Sequence, residues 1–158
     1  MFRGMNTRQI IMDCVAIALC VLTLAAVLAL WHRLPEKVVT NFGFSGAPGK
    51  VSERRGILPL LGIMALMTAM FSALLRIGAV YRHMNLPWTI PWGREGLVVA
   101  ATKDFLCVTN LCITVDNVYL VYACIAGKLL PWLLWLPYVV LTAALVWFLV
   151  RVRKICKG

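Results

Sequence analysis

Apolar side chains fall in four long blocks, residues 10–30, 56–75, 97–126 and 129–150, each bounded by charged or aromatic positions. A helix needs about 20 apolar residues to cross the hydrocarbon of a bilayer, so four membrane spans are predicted. The first, 10–30, carries a single charge near its start, Asp13, and ends at Trp31, His32 and Arg33. It exceeds the apolar core of a signal peptide and lacks a small-x-small cleavage site, and bulky Leu19 before Cys20 does not suit lipoprotein attachment. It is expected to remain as an anchor. The second, 56–75, is uncharged between Arg54, Arg55 and Arg76, and its Ala65, Ala69 and Ala73 read either as a small-residue stripe along which another helix could approach or as the ordinary frequency of Ala in membrane helices. The third block is too long for one crossing and holds Lys103, Asp104 and Asp116. A charge near the bilayer centre costs roughly 2.5 to 3.5 kcal/mol, so the span is placed at 105–126, with Lys103 and Asp104 at the interface. The fourth, 129–150, opens with Pro131, Trp132 and Trp135, contains Pro137 as a candidate kink, and closes at Arg151, Arg153, Lys154 and Lys157. The fold class is therefore all-α: an integral membrane four-helix bundle, one membrane domain over 1–158.

Two connections carry information. Between spans one and two, Val38, Thr40, Phe42 and Phe44 alternate with period two, which predicts an extended strand with both rings on one side, and 45–49 reads as a turn. Such an ordered loop is either a lid on its own bundle or a recognition surface. The middle connection sets Trp88 and Trp92 among Pro87, Pro91, Arg82, His83 and Arg94, as expected of a segment at the headgroup level or a docking face for a cytoplasmic partner. Trp31, Trp88, Trp92, Trp132 and Trp135 are the membrane-interface aromatics.

Composition agrees: 62% hydrophobic and 14% charged residues, with a mean hydropathy of +0.87, exclude an ordinary water-soluble globule. The net charge of +10 would suggest nucleic acid in a soluble protein. Here the charges flank apolar blocks, so lipid headgroups, and not nucleic acid, are the expected partners. Of the 16 Lys and Arg residues, ten fall on the side of the termini and the middle loop and six on the other. The positive-inside rule then puts both termini in the cytoplasm.

Chemistry is sparse. Five of the six cysteines, Cys14, Cys20, Cys107, Cys112 and Cys124, fall within spans, no C-x-x-C occurs, and His32 and His83 lie on opposite faces, so neither disulfides nor a metal site is expected. G-x-S-x-G, Walker and H-E-x-x-H patterns are absent, and no catalytic residue or cofactor is expected. Span three has a polar face: Asn110, Thr114 and Asn117 at i, i+4 and i+7, with Thr109 and Asp116 on an adjacent line. In lipid these groups must turn toward protein or water, as interhelical glue or as a proton or ion relay.

The run Leu34 to Lys50, with Leu-Pro, an acid, Val, then Thr, an aromatic and a Gly-x-Pro turn, resembles the bacterial membrane domain of unknown function 1648, the N-terminal part of the SdpI immunity-like proteins. Asn85 to Ile90, followed by Arg94 and Glu95, is similar to that family's Asn-x-Pro stretch. Asn41 stands where the family commonly has His, so a proton or metal role does not carry over. The resemblance implies a non-enzymatic, multi-pass protein of the bacterial cytoplasmic (inner) membrane. It would bind or block an antimicrobial peptide, toxin or other envelope ligand through Leu34, Pro35, Glu36, Asn41, Phe42, Phe44, Gly46 and Pro48. Two alternatives stay open: a small transporter or channel subunit using span three, and an accessory subunit of a membrane complex, with a protein partner or a second copy of the chain.

Overall fold

The computed structural model describes residues 4–43, 45–77 and 89–157. Four helices carry the fold: α1 (Thr7–Ala29), α2 (Leu58–Arg76), α3 (Glu95–Ala126) and α4 (Pro131–Lys157). Each lies in a segment long and apolar enough to span a membrane, as the four blocks predict. α3 is the hub, packing against α1, α2 and α4, while α1 and α2 also touch each other. The bundle has two distinct ends. One holds the starts of α1 and α3 and the ends of α2 and α4, and is called the termini end. The other carries a β-hairpin.

Helix association in lipid has little hydrophobic drive and relies on close packing and hydrogen bonds. Toward the hairpin end, Cys20, Val27, Ile57, Leu61, Met64, Val121 and Cys124 form a dry core between α1, α2 and α3. Toward the termini end, Val98 and Ala101 of α3 meet Phe148 and Val152 of α4, and the Phe105 and Phe148 rings stack at 5.2 Å. Of the Ala stripe of α2 only Ala65 packs on the core. Ala69 and Ala73 are exposed, whereas Leu61, Met64, Thr68, Ser72 and Leu75 point inward. The small residues that admit close approach are instead Ala16, Ala101, Cys107 and Ala123, all fully buried.

α3 runs 32 residues from Glu95, so the helix begins ten positions before the membrane span placed at 105–126. The expectation treated Lys103 and Asp104 as uncompensated charges. In the fold, Lys103 Nζ donates to the Gly4 carbonyl at 2.8 Å, while Asp104 pairs with Arg151 at 2.6 Å and accepts from Gln9 Nε2 at 2.6 Å. With partners in place, the helix passes straight through both positions. α4 likewise continues past residue 150 to Lys157, carrying its basic residues as helix.

The link between α1 and α2 holds a two-stranded antiparallel sheet, β1 (Lys37–Val39) with β2 (Val51–Glu53), in the register Val38 opposite Ser52. The expected strand is therefore shorter, and its pairing partner was not anticipated. Beyond β1 the ladder continues irregularly: Thr40 N–H donates to the Lys50 carbonyl at 2.9 Å, Gly49 N–H to Asn41 at 2.8 Å, and Phe42 bridges Pro48. Phe44 lies outside the described residues, as do Trp88 and most of the middle connection.

Candidate functional site: a cleft under the hairpin

The hairpin is a lid packed on the bundle. Val38 and Val39 are buried on successive positions, so both faces of β1 meet protein, and strict alternation gives way. At the turn, Gly43 N–H donates to Ala47 O at 2.8 Å and Gly46 N–H to Gly43 O at 2.9 Å. Gly46 has φ +78°, and a β-carbon there would sit 2.4 Å from the Leu129 carbonyl oxygen. Only glycine supplies both the left-handed backbone and the close approach. The turn is thereby seated on the α3–α4 connection. Gly56 plays a similar part at the foot of the hairpin, where a β-carbon would meet Thr40 Cγ2 at 2.9 Å.

Beneath this lid is a cleft of about 410 Å³. The hairpin contributes Thr40, Asn41, Phe42 and Gly43; α2 and the turn before it contribute Gly56, Ile57 and Leu60; α3 contributes Leu120 and Cys124. Its far wall is Leu129, Pro131, Leu134 and Trp135, so α3 forms a floor between α2 and α4. The surface is mostly apolar, and the polar side chains Thr40 and Asn41 both come from the lid. Phe42 also packs against the core, whereas Trp135 is 54% exposed at the rim. This division suits a long apolar ligand with a polar end. Cys124 is the lining nucleophile, and among the described lining residues no His, Asp, Glu or Lys stands by to act as its base.

Continuing down the α3–α4 seam, Asp116 is 9% exposed and accepts a long hydrogen bond, 3.4 Å, from the Tyr138 hydroxyl. Its other oxygen, Oδ1, is buried without a partner among the described residues. Both residues line a small void of about 30 Å³ together with Cys112, Ile113, Pro137 and Leu141. Pro137 is buried inside α4 and removes one rung of its hydrogen-bond ladder. The cleft residues of α4 all lie before this break, and the contacts that fix α4 to α3, Phe148, Arg151 and Val152, lie after it.

The termini end is built from a different chemistry. Asp13 is fully buried. Its Oδ2 meets Arg76 Nη2 at 2.6 Å, and its Oδ1 accepts from Ser72 Oγ at 2.6 Å and Asn110 Nδ2 at 3.3 Å. Arg76 Nη1 also donates to the Ser72 carbonyl. One turn on, the Thr68 and Thr114 hydroxyls are 3.1 Å apart. The polar line ends there, below buried Leu61, Met64 and Val121. A Gln9–Asp104–Arg151 cluster fastens α1, α3 and α4 nearby, and Gln9 with Asn6 also makes the capping box that starts α1.

The predicted polar face of α3 is thus divided. Asn110 and Thr114 enter the network with α1 and α2, and Asp116 faces α4. Asn117 and Thr109 bond back to their own helix, to Ile113 and Phe105 carbonyls. Of the outer-loop residues, Asn41 and Phe42 line the cleft and Gly46 seats the turn. Leu34 packs on the core and Pro48 pairs with Phe42, while Pro35 and Glu36 are exposed. Among the aromatics, Trp92 is 99% exposed and Trp132 62%, and Trp31 is half-buried with the Arg54 guanidinium over its ring. Sequence reasoning missed the α2, α3 and α4 walls of the cleft and the Asp13–Arg76 pair. Its available signal was a lone acid in span one and an arginine at the edge of span two.

Comparison with curated proteins and with solved structures found no match. Residues 18–68, which comprise the second half of α1, the whole hairpin and the first half of α2, match the family model described as Domain of unknown function (DUF1648).

Proposed function

We propose that this chain is a non-enzymatic, multi-pass protein of a bacterial cytoplasmic membrane, with both termini inside, and that it holds an amphipathic envelope ligand in the cleft under its outer hairpin. The observation that carries the reading is the cleft itself: about 410 Å³ of largely apolar space, walled by three helices and roofed by the family-matching segment. The immunity-like type, in which the ligand is a membrane-active peptide or toxin, is supported by the resemblance of Leu34 to Lys50. Charge narrows the ligand. The hairpin end carries Arg33, Lys37, Lys50, Arg54, Arg55 and Lys128 against Glu36 and Glu53, so a neutral or anionic amphipath suits it better than a cationic one.

Photocrosslinking tests this. A benzophenone side chain replacing Leu134 in the cleft should capture an adduct of defined mass in living cells, and the same group at Leu145, on the outward face of α4, should not. Identical adduct patterns at both positions, as bulk lipid gives, would overturn the reading.

A further inference from the structure

One face of α4 is amphipathic along its length instead of around its girth. Val139, Ala143, Val146 and Val150 follow one another at helical spacing, between Trp135 and Trp147, and line an open groove of about 790 Å³. Beyond Val150 the same face carries Arg153 and Lys154 one turn on and Lys157 two turns on, which with Val150 line a second hollow of about 450 Å³. Val150 belongs to both, so an apolar channel runs without interruption into a cluster of three cations. Among the described residues no carboxylate lines either hollow. The groove has a fixed wall: the Arg151 guanidinium lies 4.8 Å over the Trp147 ring and is itself held by Asp104 at 2.6 Å. Thr142, on the groove floor, spends its hydroxyl on the Tyr138 carbonyl at 2.8 Å, so it leaves no donor for a polar ligand.

We infer that this face is a binding site for an anionic phospholipid, with the phosphate between Arg153, Lys154 and Lys157 and one acyl chain laid along Val150, Val146, Ala143 and Val139. Charge complementarity selects the headgroup, since basic residues at the membrane surface attract anionic lipids. The continuity of the two hollows selects a lipid over a free phosphate, which would use only the cationic end. The site is remote from the cleft and does not depend on what the cleft holds.

Native mass spectrometry of the full chain in detergent reads the site directly. Dioleoyl phosphatidylglycerol should bind at least about tenfold more tightly than dioleoyl phosphatidylcholine, and less tightly as salt is raised. Changing Arg153, Lys154 and Lys157 together to Gln should abolish that preference without altering the melting temperature. Ala143→Trp, which fills the groove, should weaken phosphatidylglycerol binding with the cations intact, and glycerol phosphate should fail to compete. Equal binding of the two lipids, an unchanged preference in the triple variant, effective competition by glycerol phosphate, or a dimer that Ala143→Trp dissociates would each overturn the inference.

Discussion

Asp13 in α1 and Arg76 at the end of α2 stand 63 residues apart in sequence, and their side chains meet at 2.6 Å in the interior of the bundle. The Asp13 side chain is wholly buried, and the Arg76 side chain keeps 24% of its surface exposed. The two partners are therefore unequal. Arg76→Gln strands a buried carboxylate and should cost about 3 kcal/mol, the low end for a broken buried pair, because Ser72 and Asn110 still donate to it. Asp13→Asn should cost less, since Arg76 retains the Ser72 carbonyl and solvent. The double variant should be more stable than Arg76→Gln alone. Thermal unfolding in detergent measures all three, and simple additivity would show that the pair is not coupled.

At the hairpin tip, Gly46→Ala should destabilise by about 2 kcal/mol, combining strain at positive φ with a forced separation from Leu129. Gly43→Ala in the same turn should be nearly silent, because its β-carbon would meet only Ala47 O at an ordinary 3.7 Å. Protease nicking of the hairpin reports whether the lid has lifted. Equal sensitivity in the two variants would mean that the tip is not seated on the α3–α4 connection.

The cleft reading assigns different parts to two aromatics that line it, Trp135 and Phe42. Trp135→Ala, at the exposed rim, should lower the Leu134 photoadduct at least about fivefold with the melting temperature unchanged, as for a contact made mainly to ligand. Phe42→Ser should lower both adduct and stability, because that ring packs on the core as well as on the cleft. A Trp135→Ala protein that melts early would assign the rim to the fold.

For Asp116 the bond to Tyr138 is long and Oδ1 has no described partner, so little stability is at stake. Asp116→Asn should shift stability by less than about 1 kcal/mol, in the range of single interhelical hydrogen bonds in membranes. Ion flux measured in reconstituted vesicles should be the same for both proteins. Flux that vanishes in Asp116→Asn, with stability intact, would establish a relay in place of glue.

Topology is checked with reporters. Fusions after Gly158 and within residues 76–104 should report cytoplasm, and one at Ala47 the outside, following the bias of Lys and Arg toward the termini end. An external signal from Gly158 would invert the whole assignment.

Four long apolar helices and the turn at 45–49 were legible along the chain because each depends on local runs: a helix able to span needs length and apolarity, and a turn needs Gly and Pro. The same local view set the start of span three at Phe105 because it could only price Lys103 and Asp104 as unpaired, whereas the helix itself runs from Glu95 and gives both side chains partners. It also offered Ala65, Ala69 and Ala73 as a contact stripe, of which the bundle packs Ala65 against its core and leaves Ala69 and Ala73 facing out. Whether a charge is tolerable at depth depends on a partner, and Gly4, Gln9 and Arg151 arrive from about 47 to 99 positions away. The cleft was invisible for the same reason, being empty space between three helices and a hairpin, and no periodicity within one segment encodes the gap left by its neighbours. What the sequence determined by itself is which segments form helices long and apolar enough to cross a membrane. The packing around α3 decided which polar groups find one another and where a ligand has room, because both are properties of distances between segments that only the folded chain brings together.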